Sequence, residues 1–217
     1  MSELSNDTAS RAAVLPLVGN ELALDLANTS SGRGSAKPLE HLVRPEHAIA
    51  WARHAKALTP ADGETLQAAI AANAKLAARL LRRTLELREV IYLIGAAIAA
   101  RSPVDAANVE HLTRIHADCV ARAKLVPHDA SFVWVWDPAD GAVESVLGPI
   151  VLSALTLLTQ SDLSRIKQCR GDHCGWLFFD TTKNKSRRWC EMEVCGNRAK
   201  QRRFHRRRAS SAGSHIL

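Results

Sequence analysis

The chain has 217 residues, 47% hydrophobic and 24% charged, with five cysteines and a net charge of +7. That length and mixture suit one sizeable core plus a small appendage, and they exclude a disordered, fibrous or membrane-embedded class. No stretch approaches the ~18 uninterrupted apolar residues of a spanning helix. The start, rich in Ser, Asn, Asp and Thr, lacks the basic and apolar regions of a signal peptide. A cytoplasmic protein with reduced thiols and no membrane partner is therefore expected.

In chain order, residues 1–14 read as disordered. Residues 22–29 are ambiguous: Leu22, Leu24 and Leu26 alternate like a strand, whereas Leu22, Asp25, Leu26 and Thr29 share a helix face. A Gly/Ser loop covers 30–37, and Pro45 opens a short helix running towards Leu58. Thr59-Pro60-Ala61-Asp62 is a helix start signal, and the Ala/Leu-rich run to about Ala100 reads as two helices or one long one. Ser102-Pro103-Val104-Asp105 repeats the signal for a helix to about Leu125. Ser131–Trp136 is the clearest strand, and the turn at 137–141 suggests a hairpin with Ala142–Val146. An apolar helix is expected from Leu147 to about Thr159.

The most informative stretch follows. Cys169/Cys174 and Cys190/Cys195 form two pairs that each bracket four residues, with fifteen residues between the pairs. Such spacing lets two short loops deliver four thiolates to one tetrahedral zinc. His173 is a substitute ligand, but four cysteines make the simpler set. With every position filled by protein, the zinc is structural, one per chain. Cys119, alone in a predicted helix, reads as a small buried hydrophobe. Residues 165–208 hold fourteen basic side chains against four acidic ones, and 199–208 hold no acid at all. Like charges at helical spacing repel, so such a row implies an absent anionic partner.

Cys190 to Lys200, with its Cys195-Gly196-Asn197-Arg198 core, resembles the signature of the CGNR zinc fingers, as do Cys174–Asp180 and Ser186–Cys190. In such proteins the finger follows an ABATE domain of stress-induced transcription regulators. Gly19-Asn20 and Leu24-Asp25-Leu26-Ala27-Asn28-Thr29 resemble the opening of that domain, with Leu26 where an aromatic is commoner. The resemblance implies a bacterial source and DNA binding.

The expected fold class is mainly α with a small β-hairpin. A helical N-terminal sensor or dimerisation domain (15–160) precedes a knuckle–hairpin–helix zinc module (161–208) with its own separate core, and a flexible tail (209–217) ends the chain. Trp176, Trp189 and Phe204 are expected to pack around the metal. DNA contacts are assigned to Arg187, Arg188, Asn197, Arg198, Lys200, Arg202, Arg203, Arg206 and Arg207. Asn20, Asp25, Asn28, Thr29, Trp51, Arg88 and Tyr92 are candidates for lining a small-molecule effector pocket. The expected function is a DNA-binding transcriptional regulator, with a homodimer as a further expectation. An RNA-binding protein is the alternative, and an enzyme with a structural zinc ranks below both. No catalytic signature stands out in the first 160 residues.

Overall fold

The computed structural model describes residues 11–212, with side chains through His205. The expected disordered residues 1–10 and the last five residues of the expected tail lie outside the described residues. Within the rest, residues 11–14 form a 3-10 turn whose Ala12 is fully buried, so order begins earlier than expected. The ambiguous motif resolves as helix α1 (Leu22–Ala27). Leu24 and Leu26 both lie inside because this short helix is surrounded by core, so tertiary packing decides what periodicity could not. The Gly/Ser loop carries a small antiparallel pair, β1 (Ser30–Ser31) with β2 (Leu39–Glu40). Helix α2 (Pro45–His54) follows.

The start signals act as caps. Thr59 Oγ1 accepts from Asp62 N (3.1 Å) and opens α3 (Pro60–Ala72). Asn73 Oδ1 accepts from Leu76 N (3.0 Å) and opens α4 (Ala74–Ala100), so the Ala/Leu-rich run is two helices. Asp105 Oδ1 accepts from Ala107 N (2.9 Å) and opens α5 (Ala106–Val120). Each cap contributes about 1 kcal/mol.

The expected hairpin partner was wrong. The strand at 131–135 (β4) pairs backwards with β3 (Lys124–His128), not forwards with residues 142–146. The two-residue turn Asp129-Ala130, with Asp129 at φ +49°, closes the pair more tightly than the longer 137–141 segment could. Pro127 is tolerated because a two-stranded ribbon has only edges. Residues 142–146 instead begin helix α6 (Ala142–Gln160). Its 1.7 mean hydropathy suits a spanning helix, but Val146, Leu147, Ile150, Val151 and Ala154 are buried against the other helices. The Trp136 indole lies across Gly148, where an added Cβ would come within 2.3 Å of the ring, and its Nε1 donates to Cys119 O.

The last part is a third antiparallel pair, β5 (Ile166–Gln168) with β6 (Leu177–Phe179), then an irregular loop, a π-turn at 192–196 and helix α7 (Asn197–Ala212). The strand at 177–179 thus pairs with residues before the first cysteine, so the knuckle sits inside the hairpin. Helix α7 extends past Arg208, where a tail was expected.

The expectation of two separate cores fails. Ile166 and Leu177 belong to the large core with α1, α4 and α6, and Gly95 of α4 is bare where a Cβ would press within 2.7 Å of Leu177 Cδ1. The finger's own buried cluster is Cys169, Phe178, Cys190 and Cys195 alone.

Metal centre and candidate nucleic-acid interface

Four sulfur atoms, from Cys169, Cys174, Cys190 and Cys195, lie within 4.8 Å of one another. Cys174 and Cys190 Sγ are 3.6 Å apart, and Cys190 and Cys195 Sγ 3.7 Å. A tetrahedron with metal–sulfur bonds of ~2.3 Å has edges of about 3.8 Å, whereas a disulfide needs ~2.05 Å. Gly171 leaves room for this cluster, since a Cβ there would meet Cys195 Sγ at 2.9 Å. Without a cation the four thiols compete: hydrogen bonds from Cys174 and Cys190 pull Cys169 far down, while Cys174 is pushed up to about 12 by its bond to Cys169. The donor set, its compactness and its burial suit one zinc, held in a structural role that leaves no ligand position for water. His173 is turned away from a substitute role, its Nδ1 paired with Gly34 O at 2.8 Å.

Two residues of the loop between the cysteine pairs fix its shape. Asp180 is fully buried and accepts from Lys167 Nζ (2.6 Å), Thr182 N (2.9 Å), Thr182 Oγ1 (2.6 Å) and Arg187 N (2.9 Å). Burial pushes its carboxyl up, but these four donors outweigh burial and hold it well below the usual carboxylate range. Arg187 stacks on Phe178 with its guanidinium carbon 4.2 Å from the ring centre. The same guanidinium donates to Val18 O, Trp189 O and Cys190 O. Arg187 was expected to grip a nucleic acid; its Nε and Nη2 donate to carbonyls within the protein. Asp180 was not singled out at all, although an acid directly after Leu177-Phe178-Phe179 in the most basic segment is a visible signal.

Four of the remaining basic residues gather on one groove. Arg170, Arg188, Arg202 and Arg203 line a groove of about 250 Å³ with Trp189 and Ala199. Arg170 is an addition to the expected set, brought in because it follows a metal ligand and its N–H donates to Arg188 O (3.0 Å). Asn197, Arg198, Lys200 and Arg203 are exposed on α7. Arg202 Nε is paired with Asp172 at 2.7 Å. Arg206 and Arg207 continue α7, but their side chains lie outside the described residues. Trp176 and Trp189 pack on the metal cluster as expected, whereas Phe204 is 58% exposed and meets His205 edge-on.

The seven candidate pocket residues do something different. Asn28 Nδ2 donates to Leu177 O and its Oδ1 accepts from Leu177 N, both at 2.8 Å, so this amide pairs with β6 like a strand. Asn20 Nδ2 donates to Phe179 O (2.9 Å), and Asp25 accepts from Gly19 N (2.7 Å), whose own carbonyl accepts from Phe179 N. Tyr92 Oη accepts from Gln168 Nε2 (2.9 Å). These four stitch the helical body to the finger. Thr29 bonds to Leu26 O, Trp51 is fully buried in the core, and Arg88 forms a bidentate pair with Glu40. A larger cavity of about 380 Å³ does lie beside the metal cluster, with none of the seven in its lining.

A helical body completed by a four-cysteine, arginine-rich finger defines a zinc-finger protein of the regulator type, its finger a module of the nucleic-acid-binding kind. The chain belongs to the ABATE family, whose model, described as "Putative stress-induced transcription regulator", matches residues 20–161. The model of the CGNR zinc finger matches residues 165–208, after it in the chain. No curated protein matches the chain.

Proposed function

We propose that the protein is a DNA-binding transcriptional regulator, in which residues 15–160 form a sensing or dimerisation body and residues 161–208 the DNA-binding finger. One observation carries this reading: Arg170, Arg188, Arg202 and Arg203 converge on one groove whose sole lining acid is Asp172. Guanidinium groups gathered in this way suit the phosphates of a nucleic acid backbone. Arg188, Lys200, Arg202, Arg203, Arg206 and Arg207 act on phosphates. Asn197 and Arg198, in the first turn of α7 beside the metal, have the rigid footing that base-edge hydrogen bonds require. Arg187 takes a bracing part in this reading, since its Nε and Nη2 donate to backbone carbonyls of the protein.

Titration of duplex DNA against salt tests the proposal. With about five phosphates neutralised, log K falls against log salt with a slope of roughly −4 to −5. Deleting residues 197–208 abolishes binding. Arg203→Ala weakens specific and scrambled duplexes alike, whereas Arg198→Ala costs about 1–3 kcal/mol on the specific site alone. A flat salt response sinks the reading, and preferential competition by a matched RNA duplex transfers the finger to RNA.

A further inference from the structure

The cavity of about 380 Å³ is walled by both parts of the molecule. Arg11, Leu15, Pro16 and Ser31 come from the body; Trp176 and Val194 come from the finger, as do Arg198 and Arg202 of α7. Its size is at the small end of the range for sites that take metabolites. Leu15, Pro16, Trp176 and Val194 supply apolar wall. Arg11 and Arg198 have no ion-pair partner among the described residues; of the two acids in the lining, Asp172 holds Arg202, and Glu191 leaves the three arginines in excess.

We propose that this cavity is the effector site and takes a small monocarboxylate with an aromatic or short aliphatic body. Two guanidinium forks without acid partners match a carboxylate, and the apolar wall matches the rest of the molecule. Because Arg198 belongs to this wall and to the proposed DNA surface, a bound carboxylate withdraws it from the duplex. Ligand and DNA then weaken each other by the same factor, and the ligand acts as an inducer that releases DNA.

This proposal rests on the DNA-binding reading for its regulatory half, and the test separates the two. The zinc-loaded full chain is titrated with benzoate and with indole-3-acetate, followed by calorimetry and by tryptophan emission, since Trp176 lines the cavity. Binding in the micromolar to low millimolar range is expected, with at least tenfold weaker DNA affinity at saturation. Arg11→Ala, on the body and outside the set of assigned DNA contacts, loses carboxylate binding at least tenfold and keeps its DNA affinity; Arg11→Lys regains part of the loss. Absence of binding by both acids, or unchanged binding in Arg11→Ala, overturns the site. Carboxylate binding by a chain that never binds DNA upholds the site and overturns the function proposed above.

Discussion

The helical body and the finger are built on opposite principles. The body buries a continuous set of large apolar side chains, with Trp51, Leu24, Leu26, Leu66, Leu80, Leu87, Leu112 and Ile115 at or below 2% exposure. The finger buries Phe178 and three cysteines, and otherwise relies on Asp180, Arg187 and the metal. Burial of apolar area sustains the first, while the second substitutes directed bonds for a core it is too small to have. The two are not independent, because the finger lends Ile166 and Leu177 to the body and receives Asn20 and Asn28 in return.

Metal removal makes the sharpest break in this comparison. Structural zinc supplies on the order of 10 kcal/mol in modules of this kind. A strong chelator, or Cys190→Ser, should unfold residues 169–208 while most helical circular dichroism survives. The shared core adds a second effect: the melting temperature of the surviving body falls, because Leu177 loses its fixed position. Elemental analysis of the native protein should return one zinc per chain. A body whose melting is indifferent to the metal would falsify the shared core.

Asp180→Asn is next in size. It replaces an acceptor oxygen facing Lys167 Nζ or the Thr182 hydroxyl with an amide, at about 3–5 kcal/mol for a broken buried pair. Differential scanning calorimetry with zinc analysis should show a looser finger with the body cooperative. Leu177→Ala sharpens the comparison from the other side, since this finger residue is fully buried in the body's core. A cost of about 2–5 kcal/mol is expected, read as one shifted unfolding transition rather than loss of the finger alone. Two well-separated transitions would count against it.

The two buried aspartates give opposite responses to acid. Asp25, with a single backbone donor from Gly19, has its carboxyl pushed up to about 6 by burial. The fold therefore binds a proton between about pH 4 and 6 that the unfolded chain releases, and stability present below that window is lost as pH rises through it. The shift corresponds to about 2–3 kcal/mol. Asp180, with four donors, is held low, so its contribution is present above the unfolded range and lost as pH falls. Asp25→Asn should flatten the fall between pH 4 and 6 in denaturant titrations; Asp180→Asn should leave that fall in place. The smallest effect belongs to Phe204→Ala. With this ring 58% exposed, the change should move stability by less than about 0.5 kcal/mol and leave zinc content alone.

Local chemistry was legible in the residues. The paired cysteines announce the metal, Thr59 and Asp105 mark helix starts that a short polar side chain must cap, and the unbroken run after Gly196 announces α7. Each of these depends on groups a few residues apart, where spacing alone fixes geometry. What lay beyond the sequence depends on distant partners. Asn20 and Asn28 look like pocket residues until β6, about 150 positions on, is seen to take their amides. Arg187 reads as one more cation until Phe178 and the carbonyl of Val18 surround it. Strand β4 has the same composition whichever neighbour it pairs with, and only the competing geometries of the two turns choose. Amide and guanidinium groups carry no mark of their partner; the partner is supplied by the packing of α1, α4 and β6, which the tertiary structure alone brings together.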